Sequence, residues 1–344
     1  MNRLTGTRQH GDTKHRLVLA GLATLPFSAP SPARARTGLP TVGYVSGGSK
    51  GTAVDIAFRD SIVAGLAEQG FTAPDKLRWL DRYSGVLVDR PTTVRALEAL
   101  TRELVAEGAE VVIANGGSTR SAIAAAGTVP VVYGFSGDPM AAGLAESLAR
   151  PRGNATGVSL MWPEANAKRI DLLKQLVPAT RRIALISSPN HLGEPAEIEV
   201  CRRTVASIGI EMIYMPVFSQ DDLEKALIQA AAQNADAVVA PPDPVTIGGR
   251  ERLAAWAIER RLPFASGWAM FADSGGLMTY GPSVNGSYRR VGYYAARVLR
   301  GAKPADLPIE QPSHFELVLN LRTAKAIGLK VPDVMIERVD RVIE

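Results

Sequence analysis

Residues 108–114 read Gly108-Ala109-Glu110-Val111-Val112-Ile113-Ala114, and residues 234–240 repeat the design as Asn234-Ala235-Asp236-Ala237-Val238-Val239-Ala240. Each segment starts with a turn residue and an acidic residue, and then runs through small and β-branched apolar side chains without a polar break. A parallel strand that is covered on both faces is almost continuously apolar. Each segment therefore predicts a strand buried between two layers of helix.

Similar short apolar runs occur along the chain and alternate with longer segments of helical period, which is typical of βαβ units and a parallel sheet. In the segment 91–106, for example, apolar residues fall on one face and charged residues mostly on the other. The predicted strands lie near 41–46, 77–83, 110–115, 129–134, 182–187, 210–216, 236–240, 262–266 and 276–280.

The order of these elements occurs twice. Four of these elements recur in the same order along the chain, at offsets of roughly 125 to 140 residues. This repeat predicts an α/β fold of two similar, doubly wound parallel-sheet lobes; chance similarity among generic βα units is the alternative. Ligands of such sheets bind beyond the carboxyl ends of the strands, so two lobes predict a cleft between them.

The predicted lobes are discontinuous in sequence, because glycine, proline, asparagine and serine cluster in three possible crossings and because the helix 286–300 is expected to return to the first lobe. Lobe one is predicted to contain residues 40–155 and 284–305, and lobe two residues 158–280 and 312–344. The hinges are predicted near 154–160, 280–285 and 303–314.

The amino terminus has the order of a secretory signal peptide. Lys14-His15-Arg16 precedes an apolar run over 17–27, and Ala33-Arg34-Ala35 follows as a possible cleavage site. The run is too short to span a bilayer. We therefore expect cleavage near Ala35 and a periplasmic protein, with a disordered or anchored leader as the alternative. The absence of paired arginines makes the Sec route the simpler expectation.

Composition excludes several classes of function. The 344 residues include one cysteine, Cys201, so a disulfide framework, a thiolate zinc site and an iron–sulfur cluster are excluded. Residues 1–35 hold five of the 39 basic and one of the 34 acidic residues, which leaves a net charge of +1 on the remainder. Nucleic-acid binding depends largely on phosphate neutralisation and is not expected here. The sequence also predicts no metal, no cofactor and no stable membrane insertion.

Two motifs were tested for catalysis. The loop Ser46-Gly47-Gly48-Ser49-Lys50-Gly51 resembles a dinucleotide fingerprint, but Ser46 stands where the first glycine should be. It is better explained as a loop that offers backbone N–H groups to an anionic or carbonyl group. The segment 116–120 lacks the closing glycine of a nucleophile elbow. A nucleotide-using enzyme on a doubly wound fold remains the alternative.

Polar side chains follow several of the predicted strands. Ser118 and Thr119 open a helix after a buried strand, where they and the free helix N–H groups could bind a carboxylate; simple capping by Ser118 is the equal alternative. Asp138 and Asp243 each precede a proline and are predicted to cap a helix. Either aspartate could also neutralise the ammonium group of a ligand.

Three aromatic residues fall in loops where the cleft is expected: Phe135, Trp162 and Trp268. Rings of this kind would stack on a planar apolar ligand, although packing in the core is an equal alternative for each.

Longer segments resemble a known family, the substrate-binding proteins of ABC transporters with the type I periplasmic-binding fold, in the branch that binds tryptophan or tyrosine. The resemblance rests on Arg150-Pro151-Arg152-Gly153-Asn154-Ala155-Thr156-Gly157 and on Gly275-Gly276-Leu277-Met278-Thr279-Tyr280-Gly281. It continues through the segments 168–178, 300–308 and 315–329. Together these segments span nearly the whole chain after the leader.

The resemblance implies two lobes joined by crossovers, no catalysis, and delivery of a bound solute to a membrane permease and its ATPase subunits. By similarity, the loops at Ser46, Ser118-Thr119, Ser136 to Asp138, Asn190 and Asp243 line the cleft. The implied ligand is an amino acid or another small, often aromatic or apolar, carboxylate. The sequence departs from the family at Gly134-Phe135-Ser136-Gly137, which leaves the ligand open, and in its leader, which lacks the paired arginines of many relatives.

The sequence therefore predicts a monomeric binding module that closes on one small solute without a cofactor. A ligand-sensing regulator would need a DNA-binding headpiece, which residues 1–40 do not supply. The candidate ligand-binding residues are Ser46, Gly47, Gly48, Ser118, Thr119, Phe135, Ser136, Asp138, Trp162, Asn190, Asp243 and Trp268.

Overall fold

The structure, a computed structural model, describes residues 38–85, 90–151, 153–191 and 193–344. The predicted signal peptide, residues 1–35, lies outside the described residues. The described strands are β1 (Thr41–Ser46), β2 (Arg78–Tyr83), β3 (Val111–Asn115), β4 (Val131–Phe135), β5 (Ala155–Ser159), β6 (Arg182–Ser187), β7 (Glu211–Pro216), β8 (Ala237–Ala240), β9 (Phe264–Ser266), β10 (Met278–Pro282), β11 (Phe315–Asn320) and β12 (Arg341–Ile343).

Helices fill the segments between the strands. They are α1 (Ala53–Glu68), α2 (Arg90–Ala106), α3 (Thr119–Ala125), α4 (Trp162–Leu176), α5 (Glu194–Ser207), α6 (Gln220–Ala232), α7 (Pro244–Gly248), α8 (Arg250–Glu259), α9 (Ala269–Asp273), α10 (Val284–Leu299), α11 (Leu321–Ala326) and α12 (Asp333–Ile336).

The strands form two sheets of matching topology. The first sheet has the order β2-β1-β3-β4-β5, and the second has the order β12-β11-β10-β9-β8-β6-β7. Read from β7, the second sheet begins β7-β6-β8-β9-β10, which repeats the order of the first sheet strand for strand. All of these neighbouring strands pair in parallel. The prediction of two similar, doubly wound lobes is confirmed.

The second lobe carries an addition that the repeat did not predict. Strand β11 pairs antiparallel with β10, and β12 then pairs parallel with β11. Strand β5 also differs from expectation, because it lies inside a segment predicted as a hinge. Its sequence, Ala-Thr-Gly-Val-Ser, has little β propensity, but all five residues are buried beside β4.

Helix α10 follows a strand of the second lobe but packs on the first lobe, against α1. Two glycines allow the backbones of these helices to approach closely. A Cβ atom on Gly65 would lie 2.0 Å from the carbonyl oxygen of Arg289, and a Cβ atom on Gly292 would lie 2.1 Å from that of Ile62. Only glycine fits at either position, so the pair fixes where α10 docks.

The chain crosses between the lobes three times: after β5, after β10 and before β11. The third crossing is hydrogen-bonded to the other two. Glu310 N donates to Gly157 O over 2.9 Å and Ser159 N donates to Glu310 O over 2.8 Å, while Phe315 pairs with Pro282. The third crossing is therefore tied to β5 of lobe one at one end and to β10 of lobe two at the other.

One apolar cluster includes residues of both lobes. Phe58 of α1 lies edge-on to Trp268 of the second lobe, with ring centroids 5.5 Å apart and planes at 86°. The same Phe58 ring stacks on Tyr288 of α10 at 4.1 Å and 18°. All three side chains are buried, so the lobes touch through packed aromatic rings.

Candidate functional site

The carboxyl ends of the parallel strands in one lobe face those of the other lobe. Three contacts show this: Ser136 with His191, Gly137 with Gly193, and Phe58 with Trp268. The first residue of each pair belongs to lobe one, and the second follows a strand or loop of lobe two. The two carboxyl edges between which the sequence predicts the cleft thus face each other.

The loop after β1 is closed by the chain's own side chains. Ser46 Oγ accepts a hydrogen bond from Gly48 N at 3.1 Å, and Asp55 Oδ2 accepts one from Gly51 N at 2.8 Å. Thr52 Oγ1 caps α1 by accepting from Asp55 N at 3.2 Å. The carboxylate of Asp55 therefore already occupies the N-terminus of α1, the position where a nucleotide-binding loop would hold the pyrophosphate. Repulsion between the two negative groups disfavours a nucleotide site here.

Asp55 was not among the predicted site residues. It is 5% exposed, and Tyr83 donates its hydroxyl hydrogen to Asp55 Oδ1 at 2.9 Å. Burial, followed by this hydrogen bond and the charge of Asp55, raises the pKa of Tyr83. The sequence does contain one indication of Asp55: an acidic residue three positions after Thr52 is the spacing found at the capped N-terminus of a helix.

At the end of β3, the hydroxyl of Ser118 is used within lobe one. Ser118 Oγ accepts from Asn115 N at 3.0 Å, and lies 2.7 Å from Asn115 O and 3.1 Å from Val45 O, to which it can donate. These bonds close the turn from Asn115 to Ser118 and tie β3 to β1. The Ser118 side chain makes no capping hydrogen bond to α3, so the predicted cap on that helix is wrong. Asn115 in turn donates to the hydroxyl of Tyr44 at 2.9 Å.

Thr119 differs from its neighbour. Its side chain is fully buried, and its Oγ1 has no hydrogen-bond partner in the structure. Buried hydroxyls are nearly always hydrogen-bonded, and an unsatisfied one costs about 1–3 kcal/mol. The hydroxyl of Thr119 is therefore an unsatisfied polar group at this edge of the sheet, as far as the described residues show.

In the second lobe, Asp243 is 3% exposed and caps α7 as predicted. Its Oδ1 accepts from Val245 N at 2.8 Å and Thr246 N at 2.9 Å, and its Oδ2 accepts from Ser188 N at 2.9 Å. Burial raises the pKa of Asp243 to about 6, although these N–H groups and nearby His191 favour the charged form. Asp243 thus joins the loops after β6 and β8.

Asp138 caps a turn and not a helix, which corrects the prediction for this position. Asp138 Oδ1 accepts from Met140 N at 2.8 Å, but the residues that follow form turns. Asp138 also borders a cavity of about 50 Å³ between the lobes, together with Ser159, Glu164 and Gln311. A space of this size holds water and not an amino acid.

A polar chain crosses the cleft at Ser136. Ser136 Oγ lies 3.1 Å from His191 Nε2, and the same nitrogen lies 3.1 Å from Glu197 Oε1. All three side chains are at least nine-tenths buried. Burial alone would lower the pKa of His191, but Glu197, with Asp243 and Glu194, raises it above its ordinary value. His191 was not among the predicted site residues, because Ser136 is 55 positions away and Glu197 lies within α5, where no local pattern points to the pair.

The remaining predicted residues divide into three groups. Gly47, Gly48 and Asn190 are partly exposed in loops at the carboxyl edges, and Trp268 is 5% exposed at the contact between the lobes. Phe135 is fully buried in the core of lobe one, where packing accounts for it. The side chain of Trp162 lies outside the described part of the structure.

Within the described residues, no group of three or more His, Cys, Asp or Glu side chains is arranged to hold a metal ion. No described helix is both long and apolar enough to cross a membrane.

Comparisons with known proteins agree with this architecture. Residues 52–343 match the family model described as ABC transporter substrate binding protein. A tyrosine-binding protein of Clostridioides difficile (strain R20291) is 21% identical over 273 residues, which cover 79% of this chain and 76% of the relative.

Two solved structures match over 89% of this chain and the whole of their own chains. A conserved domain protein of Vibrio cholerae has a TM-score of 0.80 at 20% identity. An ABC domain from Streptococcus pneumonia in complex with L-Trp has a TM-score of 0.79 at 23% identity. At these identities the likeness concerns the fold.

Proposed function

Because the chain belongs to the ABC transporter substrate binding protein family, we propose that it captures one small carboxylate in the cleft between its lobes and delivers it to a membrane permease. Family membership makes the chain a substrate-binding protein and not an enzyme. The proposed ligand is an amino acid or another aromatic or apolar carboxylate. Relatives named for tyrosine binding or solved with L-Trp support this choice of ligand class.

The observation that carries the carboxylate assignment is the hydroxyl of Thr119. It is buried at the carboxyl end of β3 and lacks a partner, so a ligand oxygen would remove an existing cost. Ser118 supports Thr119 by fixing the turn between β3 and α3. In this proposal the backbone around Ser46, Gly47 and Gly48 borders the same end of the ligand.

Lobe two would contribute Asn190, Asp243 and Trp268. Asp243 keeps a lone pair on Oδ2 beside its bond from Ser188 N, and an ammonium group there would offset the cost of burying the carboxylate. Trp268 supplies an aromatic wall at the contact with lobe one. Since the groups for the two ends of the ligand come from different lobes, closure of the lobes would complete the site.

The proposed setting is the periplasm, after cleavage of the leader near Ala35, with the protein acting as a monomer beside a permease and its ATPase subunits. The cluster of a basic segment, an apolar run and Ala33-Arg34-Ala35 supports export.

The test is a thermal-shift screen of residues 36–344 against amino acids, aromatic carboxylates, sugars and nucleotides. A ligand that binds only the folded state at 100 times its Kd adds about 2.7 kcal/mol of stability, which raises the Tm. We expect a shift with L-tyrosine, L-tryptophan or another aromatic or apolar carboxylate. A shift with nucleotides alone would contradict the proposal.

The role of Thr119 is tested by Thr119→Val, which keeps the shape of the side chain and removes the hydroxyl. We expect the Kd of the ligand found in the screen to rise about ten- to a hundredfold, the effect of losing one hydrogen bond to a charged group. Titration calorimetry measures this.

Thr180→Val is the matched control. Thr180 Oγ1 is also buried without a partner, but it precedes β6 at the opposite, amino-terminal edge of the second sheet. We expect the control to leave the Kd unchanged. If Thr119→Val and Thr180→Val bind the ligand with equal affinity, Thr119 is not a ligand-binding residue.

A further inference from the structure

We infer that Ser136 and Gly137 of lobe one and His191 and Gly193 of lobe two form a latch that holds the lobes closed, and that Glu197 positions His191 for it. The inference rests on the proposed function, because it concerns the closing of the same cleft. It assigns these residues to contact between the lobes and not to contact with the ligand.

The first support is the approach of the two backbones. A Cβ atom on Gly137 would lie 3.2 Å from the Cα atom of Gly193, and a Cβ atom on Gly193 would lie 3.2 Å from the Cα atom of Gly137. Neither glycine has a positive φ. The closest atoms to these Cβ positions belong to the same lobe as each glycine, Phe135 Cε1 at 2.9 Å from Gly137 and Glu197 Oε1 at 2.9 Å from Gly193, and the opposite lobe takes up part of the remaining space.

The second support is the hydrogen bond beside this contact. Ser136 Oγ and His191 Nε2 are 3.1 Å apart, and they come from different lobes. Both side chains are buried, with exposures of 6% and 8%. In a buried contact such a bond is weakened less by competing water than it would be at the surface. Separation of the lobes would break it and expose both groups.

The third support is that lobe two holds the imidazole in place before any contact with Ser136. Glu197 Oε1 lies 3.1 Å from Nε2 and is 3% exposed. Glu194 and Asp243 add negative charge around the ring, and they raise the pKa of His191 together with Glu197. Tyr214 bonds to Glu194, and the buried Arg169 lies close enough to Glu197 for their charges to interact.

These carboxylates all belong to lobe two, so they surround His191 whether the cleft is open or closed. What closure adds is the hydroxyl of Ser136 and the close approach of Gly137 to Gly193. Loss of the latch should therefore shift the protein towards the open form. Ligand should then dissociate faster, while its association rate stays similar.

The direct test measures the distance between the lobes without ligand. Spin labels on Arg102→Cys of α2 and Lys225→Cys of α6 report this distance by pulsed electron resonance, since both side chains are exposed. Cys201 is fully buried, and burial raises the pKa of its thiol to about 12, so it should not react with the label. We expect Ser136→Ala to increase the population at the longer distance about tenfold relative to the short one.

Ser61→Ala is the matched control. Ser61 is 8% exposed, and its Oγ donates to Ala57 O and lies 3.3 Å from Asn285 Oδ1, both within lobe one. The control should leave the distance distribution unchanged. His191→Leu should open the protein, and adding Ser136→Ala should open it no further, because the same bond is already lost.

The second readout is stopped-flow dissociation of L-tyrosine or L-tryptophan, where Ser136→Ala should raise the off-rate about tenfold. Glu197→Gln keeps an oxygen acceptor and should act more weakly than Glu197→Ala. If Ser136→Ala and Ser61→Ala give the same distances, or the parent protein shows no short distance, the latch is refuted. If neither amino acid binds, the proposed ligand class fails, and the distance measurement alone decides the latch.

Discussion

At the level of single residues, the cleft edge of lobe two concentrates charge away from water. His191, Glu194, Glu197 and Asp243 are all at least nine-tenths buried there. Backbone N–H groups donate hydrogen bonds to the carboxylate of Asp243, and the hydroxyls of Tyr214 and Ser187 donate to that of Glu194. A protonated His191 offsets part of the remaining negative charge, so the fold should favour the imidazolium form.

This arrangement predicts how stability depends on pH. The pKa of His191 is raised in the folded protein above its ordinary value of about 6.5. Its contribution is therefore complete below the ordinary pKa and is lost as the pH rises through the higher folded pKa. We expect His191→Gln to destabilise the protein more at pH 5.5 than at pH 9, as measured by urea denaturation.

His314→Gln is the control, because His314 is exposed. Its effect on the free energy of unfolding should stay within about 0.5 kcal/mol, as for most exposed substitutions. A pH-independent effect of His191→Gln would mean that the imidazole serves the fold in its neutral form.

At the level of elements, the contact of α1 with α10 depends on glycine residues, which have no side chain to separate the two backbones. Gly292→Ala would place a methyl group 2.1 Å from Ile62 O, where backbone must move. We expect a loss of roughly 1–3 kcal/mol or more in the free energy of unfolding, measured by denaturant titration, despite the better helix propensity of alanine.

Gly286→Ala in the first turn of α10 is the matched variant. Its new Cβ atom would come no closer than 3.4 Å to Ser283 Oγ, an ordinary contact. This change should be neutral or stabilise by up to about 1 kcal/mol. Similar losses for both variants would show that the close approach of the two helices is not what limits substitution at Gly292.

The elements also show what the sequence could and could not predict. All nine predicted strands exist, and most of them have the apolar runs of buried parallel strands. The repeat predicted two similar lobes, and the strand order that they share is a finding of the structure. Strand β5 was taken for hinge because glycine and asparagine flank its small residues. β11 and β12 lie outside the repeated unit, so nothing in the repeat predicted them.

The candidate site was predicted only in part for a related reason. Strand ends can be located from local sequence, which placed Thr119, Asp243 and Trp268 at the two edges. The bond from Ser136 to His191 joins residues that are 55 positions apart and on different lobes. It depends on how the lobes meet, and no local pattern records that. Likewise, Phe58 looked like any apolar residue of an amphipathic helix.

At the level of the whole molecule, the cleft residues are useful to a transporter only if the chain is exported. We expect that expression of the full chain in a Gram-negative host yields a periplasmic protein that begins at Arg36. Mass spectrometry of the periplasmic fraction measures this. Ala35→Leu should block cleavage, because the site requires a small residue.

Ala29→Leu is the comparison, since it lies upstream of the proposed Ala33-Arg34-Ala35 site. The mature protein made from this variant should have the same mass as the mature parent protein, because residue 29 is removed with the leader. A mature protein that starts at another residue would contradict the predicted cleavage site, and one that keeps its leader would contradict the predicted signal peptide.

The three crossings between the lobes act as a mechanical element. The third crossing is bonded to a strand of each lobe, through Glu310 to Gly157 and Ser159 of β5 and through the pairing of Phe315 with Pro282 of β10. If the lobes close as proposed, these bonds would keep the third crossing attached to both lobes throughout the movement, so that the same atoms would return to register at each closure.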